Sequence, residues 1–268
     1  MRWVVGVDVG EGSHGALALV AWAAGQARPG IGDLVAVHVL EAEHLRVVLR
    51  LHHLDEVTAE ARRVTEKTLA RHGLETPVEI VQAIEASDGL AAVAERLAAD
   101  AIVVGRHAGL DGSGLGRLGR IARRSLQDLA APVIVAPHDL TPEAVGAGPI
   151  LALSSLGDDS VEAVRFARRL ATWLGRELVV AHGEERPSEG LGALEAWVTA
   201  TGVRADRLQV VEGSILASAP RLVSELQAAL LVTGSRMLSG IGRRLHTSIG
   251  SELAASAPLA VAVVPPAP

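Results

Sequence analysis

DAIVVGRHAGLDGSGLGRLGRIARRSLQDLAAPVIVAP, the stretch from Asp100 to Pro137, decides the fold of this chain. A second stretch, ALLVTGSRMLSGIGRRLHTSIGSELAASAPLAVAVVP from Ala229 to Pro265, repeats its pattern. In each stretch an apolar run leads through a glycine turn and a basic loop to an amphipathic helix and a second apolar run. Because self-similarity at the scale of a domain determines the architecture, the repeat predicts two related α/β domains, each with a loop suited to an anion.

The two halves of the chain are similar along most of their length. Three further apolar runs recur in the same order: Val4–Asp8 as Ile150–Ser154, Asp33–Val39 as Glu177–Gly183, and Val78–Gln82 as Leu208–Glu212. Strand-like runs alternate with helical segments, which is typical of a parallel sheet covered by helices on both faces. We therefore predict two tandem domains, 1–138 and 149–268. The linker between them is rich in proline and glycine, which continue neither a strand nor a helix.

One segment departs from this symmetry. His44–His72 is rich in Arg, Glu and His, and its pattern predicts one long helix. The counterpart after His182 is much shorter. The two halves therefore differ in length at this place.

The composition excludes several classes of protein. A hydrophobic content of 49% in 268 residues is enough for two cores. No apolar run reaches the roughly 20 residues that span a bilayer, and the chain opens on a strand pattern rather than a signal peptide. We expect a cytoplasmic protein with no membrane partner. With no cysteine in the sequence, disulfides, thiolate nucleophiles and cysteine-ligated metals are excluded.

Charge and aromatic content argue against nucleic-acid binding. The net charge is −6 and aromatic residues make up 2% of the chain, whereas nucleic-acid binding draws on basic side chains and stacking aromatics. Lys67 is the only lysine, and it lies in a polar helical stretch. A P-loop, which needs a lysine after its glycines, is therefore absent from the sequence.

A nucleotide site is predicted at the end of the first strand. Asp8 follows that strand, and a glycine-rich segment follows the fourth strand at Val104. In open parallel sheets, ligands bind beyond the carboxyl ends of strands where the strand order reverses. A carboxylate accepts hydrogen bonds from a ribose hydroxyl or a base amine, and backbone N–H groups of a glycine loop hold phosphates.

The same features resemble the universal stress protein family. They are an apolar strand followed by Asp8, the pair His38–Val39, a strand ending in Gly105, a glycine-rich loop, and a final strand introduced by Ala131-Pro132-Val133. The resemblance covers nearly the whole chain. It implies two tandem doubly wound five-stranded parallel-sheet domains of the adenine nucleotide alpha hydrolase-like type, paired about a pseudo-two-fold axis. Members that bind ATP, with magnesium, carry an Asp after the first strand and G-x-x-G, nine residues, then G-[ST] after the fourth.

Applied residue by residue, the resemblance assigns a nucleotide site to the first half only. The implied ATP-binding residues are Asp8, the main chain of Val39, Gly105, Gly109, Gly119 and Arg120. Ala108 occupies the expected place of the second glycine, and Gly109 comes one residue later. Arg120 replaces the family's hydroxyl, and an arginine also binds phosphate bidentately.

The second half departs further from the family pattern. Gly234 is kept, but Met237 and Thr247 replace the next two glycines, while Ser248 retains the hydroxyl. Ser154 is expected to occupy the place of Asp8. The second half is therefore predicted to be a scaffold rather than a nucleotide site.

The resemblance also implies how the halves assemble. The final strands, Val133–Ala136 and Val261–Val264, are expected to lie at the edges of the two sheets and to pair with each other, because an exposed apolar edge needs covering. Dimers of the family resemble this arrangement. A further homodimer of the whole chain is left open.

Two other functions are weighed against ATP binding. One is a structural or partner-binding protein that binds no nucleotide, which the incomplete glycine pattern favours. The other is an NAD(P)-dependent oxidoreductase, because Gly10-Glu-Gly12-Ser-His-Gly15 fits G-x-G-x-x-G and precedes Glu41. Asp8 and Glu11 would then lie beside the pyrophosphate, which argues against that function.

No catalytic or metal site is predicted. His44, His52 and His53 do not form a known metal-ligand pattern, and no G-x-S-x-G motif marks a hydrolase. Any hydrolysis of bound ATP is expected to be weak.

Overall fold

A computed structural model describes residues 1–8, 11–26, 33–106, 118–129, 131–235 and 249–267. Within these ranges ten strands join into one sheet. The strands are β1 Arg2–Gly6, β2 Asp33–Glu41, β3 Val78–Ala83, β4 Ala101–Gly105, β5 Val133–Ala136, β6 Ile150–Ser154, β7 Leu178–Glu184, β8 Arg207–Glu212, β9 Leu230–Gly234 and β10 Val261–Val264. The helices are α1 His14–Gln26, α2 Ala42–Val48, α3 Leu54–Arg71, α4 Ala86–Arg96, α5 Gly119–Gln127, α6 Val161–Leu174, α7 Pro187–Thr201, α8 Ile215–Leu226 and α9 Ile249–Ser256.

The order of the strands repeats in mirror image about the middle of the sheet. It runs β3-β2-β1-β4-β5 in the first half and β10-β9-β6-β7-β8 in the second. Neighbouring strands are parallel within each half, and β5 pairs with β10 antiparallel. Val135 lies opposite Val261, and Ile134 lies opposite Ala262. The predicted doubly wound fold and the predicted pairing of the final strands are confirmed.

Alternation along the strands divides the apolar side chains between two cores. Trp3 and Val5 point into one core, while Val4 points into the other, on the opposite face of the sheet. Each core contains buried residues of both halves, with Phe166 of α6 in the first and Leu253 of α9 in the second. The two halves therefore share both cores across the β5–β10 junction.

The prediction of one helix over His44–His72 is wrong, because the segment forms two helices. The chain leaves helical geometry after Val48 and re-enters it after His53, whose backbone is extended (φ −80°, ψ 149°). The Glu56 side chain accepts a hydrogen bond from the His53 N–H at 3.1 Å. His53 and Glu56 form a capping box that starts α3. Since histidine is not a usual N-cap residue, the break is hard to recognise in the sequence.

The helix α7 begins at Pro187. Proline is favoured in the first turn of a helix because its missing N–H has no partner there anyway. None of the described helices is long and apolar enough to cross a membrane.

Candidate functional site

A cavity of about 350 Å³ lies at the carboxyl ends of β1 and β4, where the strand order reverses. The predicted residues that line it are Asp8, Val39, Gly105, Gly119 and Arg120. Five of the six residues predicted from the family resemblance therefore lie around one space. The sixth, Gly109, lies outside the described residues.

Gly105 is required by backbone packing at the end of β4. A Cβ at this position would lie 2.0 Å from the carbonyl oxygen of Gly12, which is much less than a van der Waals contact. The equivalent glycine of the second half, Gly234, has the same relation to the carbonyl oxygen of Asp159, at 2.2 Å. These glycines let the turn after the first strand of each half close against the fourth strand.

Gly119 starts α5 and has a positive φ of 71°. Only glycine adopts this conformation without strain. The turn places the amino-terminal end of α5 against the cavity, because Leu118, Gly119 and Arg120 all line it. Unpaired N–H groups at such an end favour an anion.

Arg120 is already engaged in an ion pair. Its Nη2 donates to Oε2 of Glu41 at 2.5 Å, while Oε1 of Glu41 accepts from the backbone N–H of Ala86 at 3.0 Å. One turn later on α5, Arg124 pairs with Glu85 at 2.6 Å. Glu41 cannot be recognised from the sequence as the partner of Arg120, because the two residues lie 79 positions apart. Glu41, the last residue of β2, thus holds the side chain of Arg120 at the edge of the cavity.

Two histidines hold the turns after the first strand of each half. Nδ1 of His38 lies 2.8 Å from the carbonyl oxygen of Val7, and Nδ1 of His182 lies 2.9 Å from that of Ser154. The family resemblance included His38 but assigned it no contact. In both halves the histidine comes from the second strand and fixes the position of the chain where the first strand ends.

These contacts correct one predicted equivalence. If His38 matches His182, then Val7 matches Ser154, and Asp8 matches Ser155 rather than Ser154. The strand register agrees, since Gly6 lies opposite Val37 as Leu153 lies opposite Ala181. Matching the apolar runs alone places the two halves one residue out of register, because the second half becomes polar one position earlier, at the buried Ser154.

The second half closes its own turn around Ser155. The Ser155 hydroxyl donates to Oδ1 of Asp159 at 2.9 Å and lies 3.0 Å from Oγ of Ser160. Leu156 adopts a positive φ of 62° within this turn. Where the first half presents the Asp8 carboxylate to a cavity, the second half therefore has a hydroxyl bonded within its own loop.

In the second half, the backbone of the β8–α8 turn fills the space that lies beside Val39 in the first half. The equivalent residue there is Gly183, and a Cβ on it would lie 2.4 Å from the carbonyl oxygen of Gly213 and 2.5 Å from the backbone nitrogen of Ile215. The β8–α8 turn thus approaches β7 more closely than any side chain would allow. Met237, Thr247 and Ser248, the other predicted departures from the family pattern, lie outside the described residues.

Two of the three glycines of the G-x-G-x-x-G motif have packing partners among the described residues. Gly12 contributes the carbonyl oxygen that faces Gly105, and a Cβ on Gly15 would lie 1.7 Å from the carbonyl oxygen of Pro137. Gly10 lies outside the described residues. In a dinucleotide site the acidic residue binds the ribose. Here both carboxylate oxygens of Glu41 already accept hydrogen bonds, from Ala86 and Arg120.

The three histidines that were considered as metal ligands have different positions in the fold. His53 starts α3, whereas His44 and His52 line a larger cavity next to the first one. The described residues contain no group of three or more side chains suited to hold a metal ion.

Comparisons with known proteins agree with this architecture. The Universal stress protein family matches residues 1–137. No curated protein matches the sequence. The structure is similar to that of a universal stress protein from Archaeoglobus fulgidus DSM 4304, with a TM-score of 0.72 and 15% identity over 99% of this chain and 98% of that chain.

Two bacterial structures are also similar over nearly the whole chain. A putative universal stress protein from Pseudomonas aeruginosa UCBPP-PA14 has a TM-score of 0.65 and 16% identity, covering 99% of this chain and 93% of that chain. A functionally unknown protein from Pseudomonas aeruginosa PAO1 has a TM-score of 0.64 and 16% identity, covering 99% and 92% respectively. At such identities the similarity shows the fold alone. Because the family match covers half of the sequence and the doubly wound fold extends over both halves, the chain belongs to the universal stress protein family.

Proposed function

We propose that this protein is a stress-response regulatory module that binds ATP, with magnesium, in its first half. The observation that supports the proposal most is the cavity between β1 and β4. There the carboxylate of Asp8, the end of β2 at Val39 and the glycines Gly105 and Gly119 line one space. This is the place where doubly wound sheets bind nucleotides.

Each residue has a role that its position allows. The exposed carboxylate of Asp8 accepts hydrogen bonds from the ribose or the base, and the main chain of Val39 contacts the base. The amino-terminal end of α5, at Gly119, faces the phosphates. Arg120 reaches a phosphate once it leaves Glu41, and Gly109 completes the predicted loop.

The proposal applies to one half of the chain. In the second half Ser155 bonds to Asp159, and the backbone near Gly213 takes the space beside Gly183. That half acts as a scaffold and partner for the first. The role proposed for the first half is to bind nucleotide, and any hydrolysis of the nucleotide is expected to be weak.

The ion pair between Arg120 and Glu41 favours a second candidate, a partner-binding protein without a nucleotide. It neutralises the arginine that would meet the phosphates. In this alternative the pair only ties α5 to β2. An NAD(P)-dependent oxidoreductase is less well supported, since a Cβ on Gly15 would meet the carbonyl oxygen of Pro137 and the carbonyl oxygen of Gly12 faces Gly105.

Calorimetric titration with ATP, AMP and NAD in the presence of magnesium tests the proposal. We expect ATP to bind the natural protein, and Asp8→Ala to weaken that binding about tenfold through loss of a charged hydrogen-bond acceptor. Ser155→Ala is the matched control, because it alters the equivalent position of the second half, and it should leave ATP affinity unchanged. Absence of ATP binding at millimolar concentration would favour the partner-binding function instead.

A further inference from the structure

A second cavity, of about 730 Å³, lies between β2 and the two helices α2 and α3. It is on the far side of β2 from β4, and the two cavities share Asp8, His38, Val39 and Glu41 as a common wall. Its volume falls in the range of small-molecule sites. The nucleotide proposed above would contact Asp8 and Val39 of this shared wall, whereas the apolar part of the second cavity, between α2 and α3, has no role in that proposal.

The inner part of this cavity is apolar. Val48 of α2 and Val57, Ala61 and Val64 of α3 line it together with Leu40 of β2. Ala61 and Leu40 are buried and belong to a small core of their own. These side chains offer a surface for a hydrocarbon or aromatic group of a ligand.

The rim of the cavity carries negative charge. The charged side chains that line it are Asp8, Glu41, Glu56 and Glu60, and no described lysine or arginine lines it. Two guanidinium groups outside the lining pair with two of these carboxylates, Arg120 with Glu41 and Arg63 with Glu60. Apart from His38, His44 and His52, every titratable side chain of the lining is therefore acidic.

The carboxylates of α3 are held in place on this rim. Glu60 accepts two hydrogen bonds from Arg63, at 2.5 and 2.8 Å, and these lower the pKa of its carboxyl. Glu56 accepts from the His53 N–H and lies 3.9 Å from Nδ1 of His52. Both carboxylates therefore present fixed positions to a ligand.

We propose that this cavity is a separate binding site for an organic cation with an apolar body, such as an alkyl or aryl amine. The hydrocarbon part lies against Val48, Val57 and Val64, and the ammonium group lies at the rim near Glu56 and Glu60. The site exists in the first half only, because the helix pair α2–α3 that forms it is replaced in the second half by the single helix α7.

A series of probes with one chain length and three charges tests the proposal. n-Octylammonium, n-octanol and n-octanoate are titrated against the full-length protein, with binding followed by calorimetry and by NMR shifts of residues 38–64. We expect octylammonium to bind most tightly, about fivefold more than octanol, since a partly exposed ion pair contributes at most about 1 kcal/mol. Octanoate should bind most weakly. Octanoate binding as tightly as octylammonium would overturn the assignment.

Variants locate the site. Glu56→Gln should reduce the preference for octylammonium over octanol about threefold, while Glu66→Gln, on the same helix but away from the cavity, should leave it unchanged. Val48→Trp should weaken all three probes by filling the apolar part, and Val57→Phe serves if that variant does not fold. Equal effects of the two glutamate variants would contradict the site.

One further measurement separates this site from the nucleotide cavity. Octylammonium binding should persist in the presence of saturating ATP and magnesium, whether or not ATP itself binds. Complete displacement of octylammonium by ATP would mean that the larger cavity is only part of the nucleotide site. Because the probe series needs no nucleotide, the proposal does not rest on ATP binding.

Discussion

Individual side chains determine how the loops at the carboxyl ends of the strands are arranged. His38 and His182 hold equivalent carbonyl oxygens, and Gly105 allows a backbone contact that any Cβ would prevent. Glu41 joins the end of β2 to α4 and α5 at once. These contacts shape the cavity before any ligand enters, and they place the guanidinium of Arg120 against the carboxylate of Glu41.

Removing the charge of Glu41 should strengthen nucleotide binding. Glu41→Gln keeps a hydrogen-bond acceptor for Ala86 but releases the guanidinium of Arg120, and we expect ATP affinity to rise about threefold, as for an exposed ion pair. Arg120→Met should lower it. Glu85→Gln is the control, because it alters the neighbouring pair with Arg124. A loss of affinity in Glu41→Gln would show that Arg120 does not serve the phosphates.

His72 should make stability depend on pH. It ends α3 and lies against His14, with the ring centroids 4.9 Å apart. Burial, and then the charge of His14, lower the pKa of His72. Between its lowered pKa and the unfolded value of about 6.5 the unfolded chain binds more protons, so stability falls as the pH falls through this window.

Urea unfolding at a series of pH values measures this effect. The loss of stability on acidification below about pH 6.5 should be smaller in His72→Gln than in the natural protein. His44→Gln, an exposed histidine on α2, should keep the full dependence. If His72→Gln and the natural protein gave parallel curves, the effect would come from other groups.

Elements of the two halves are fastened to each other by side chains that the repeat does not share. Arg106 follows β4, and its Nη1 donates to the carbonyl oxygens of Ala255 and Ala257 at 2.8 and 3.1 Å. These carbonyls lie at the carboxyl-terminal end of α9, where a cation is favourable. Arg176 after α6 reaches back to Gln26, at 3.0 Å, and over the ring of Trp22.

Loss of the Arg106 contact should destabilise the whole chain. Arg106→Met keeps an apolar stem of similar length but leaves carbonyl oxygens of α9 without their donor, at a cost of about 2 kcal/mol. Arg221→Met, which removes an exposed pair with Glu225 on one helix, should cost less than about 0.5 kcal/mol. Chemical denaturation of both variants provides the comparison. Equal costs would mean that the contact contributes little.

At the scale of the whole molecule, the two halves form one body around a continuous sheet. The β5–β10 pair joins them, and the rings of Trp3 and Trp173 meet edge to face across the shared core, with centroids 4.7 Å apart. Both cores extend through the junction. Each half thus supplies the surface that covers the apolar edge strand of the other.

Cysteine pairs can test the register of this junction, because the natural chain has no cysteine. Val133→Cys with Val263→Cys, or Ile134→Cys with Ala262→Cys, places two thiols directly opposite each other, within reach of a disulfide. We expect at least one of these double variants to form an intramolecular disulfide on mild oxidation, seen as the loss of two hydrogens by mass spectrometry. Val133→Cys with Val261→Cys is out of register and should stay reduced. The opposite result would contradict the register.

The sequence predicted much of this structure because its signals are local. The apolar runs follow from strand periodicity within a few residues, and both halves carry them. The break in His44–His72 was missed because an unusual N-cap, His53, makes it. The prediction that Ser154 is equivalent to Asp8 was wrong by one residue. The hydrogen bond that identifies the equivalent residue joins His182 on one strand to Ser154 on another, so the sequence does not show it.

By itself the sequence determined the duplication, the doubly wound fold and most of the residues that gather at the end of β1, since each depends on neighbours along the chain or on the family pattern. Only the tertiary structure decided that Arg120 pairs with Glu41, that Ser155 stands where Asp8 does, and that α2 and α3 enclose a second cavity. These facts depend on distances between residues far apart in the chain, which packing alone establishes. The physical reason is that the packing of helices and strands decides which side chains meet across elements. A pattern of neighbouring residues in the sequence does not contain that information.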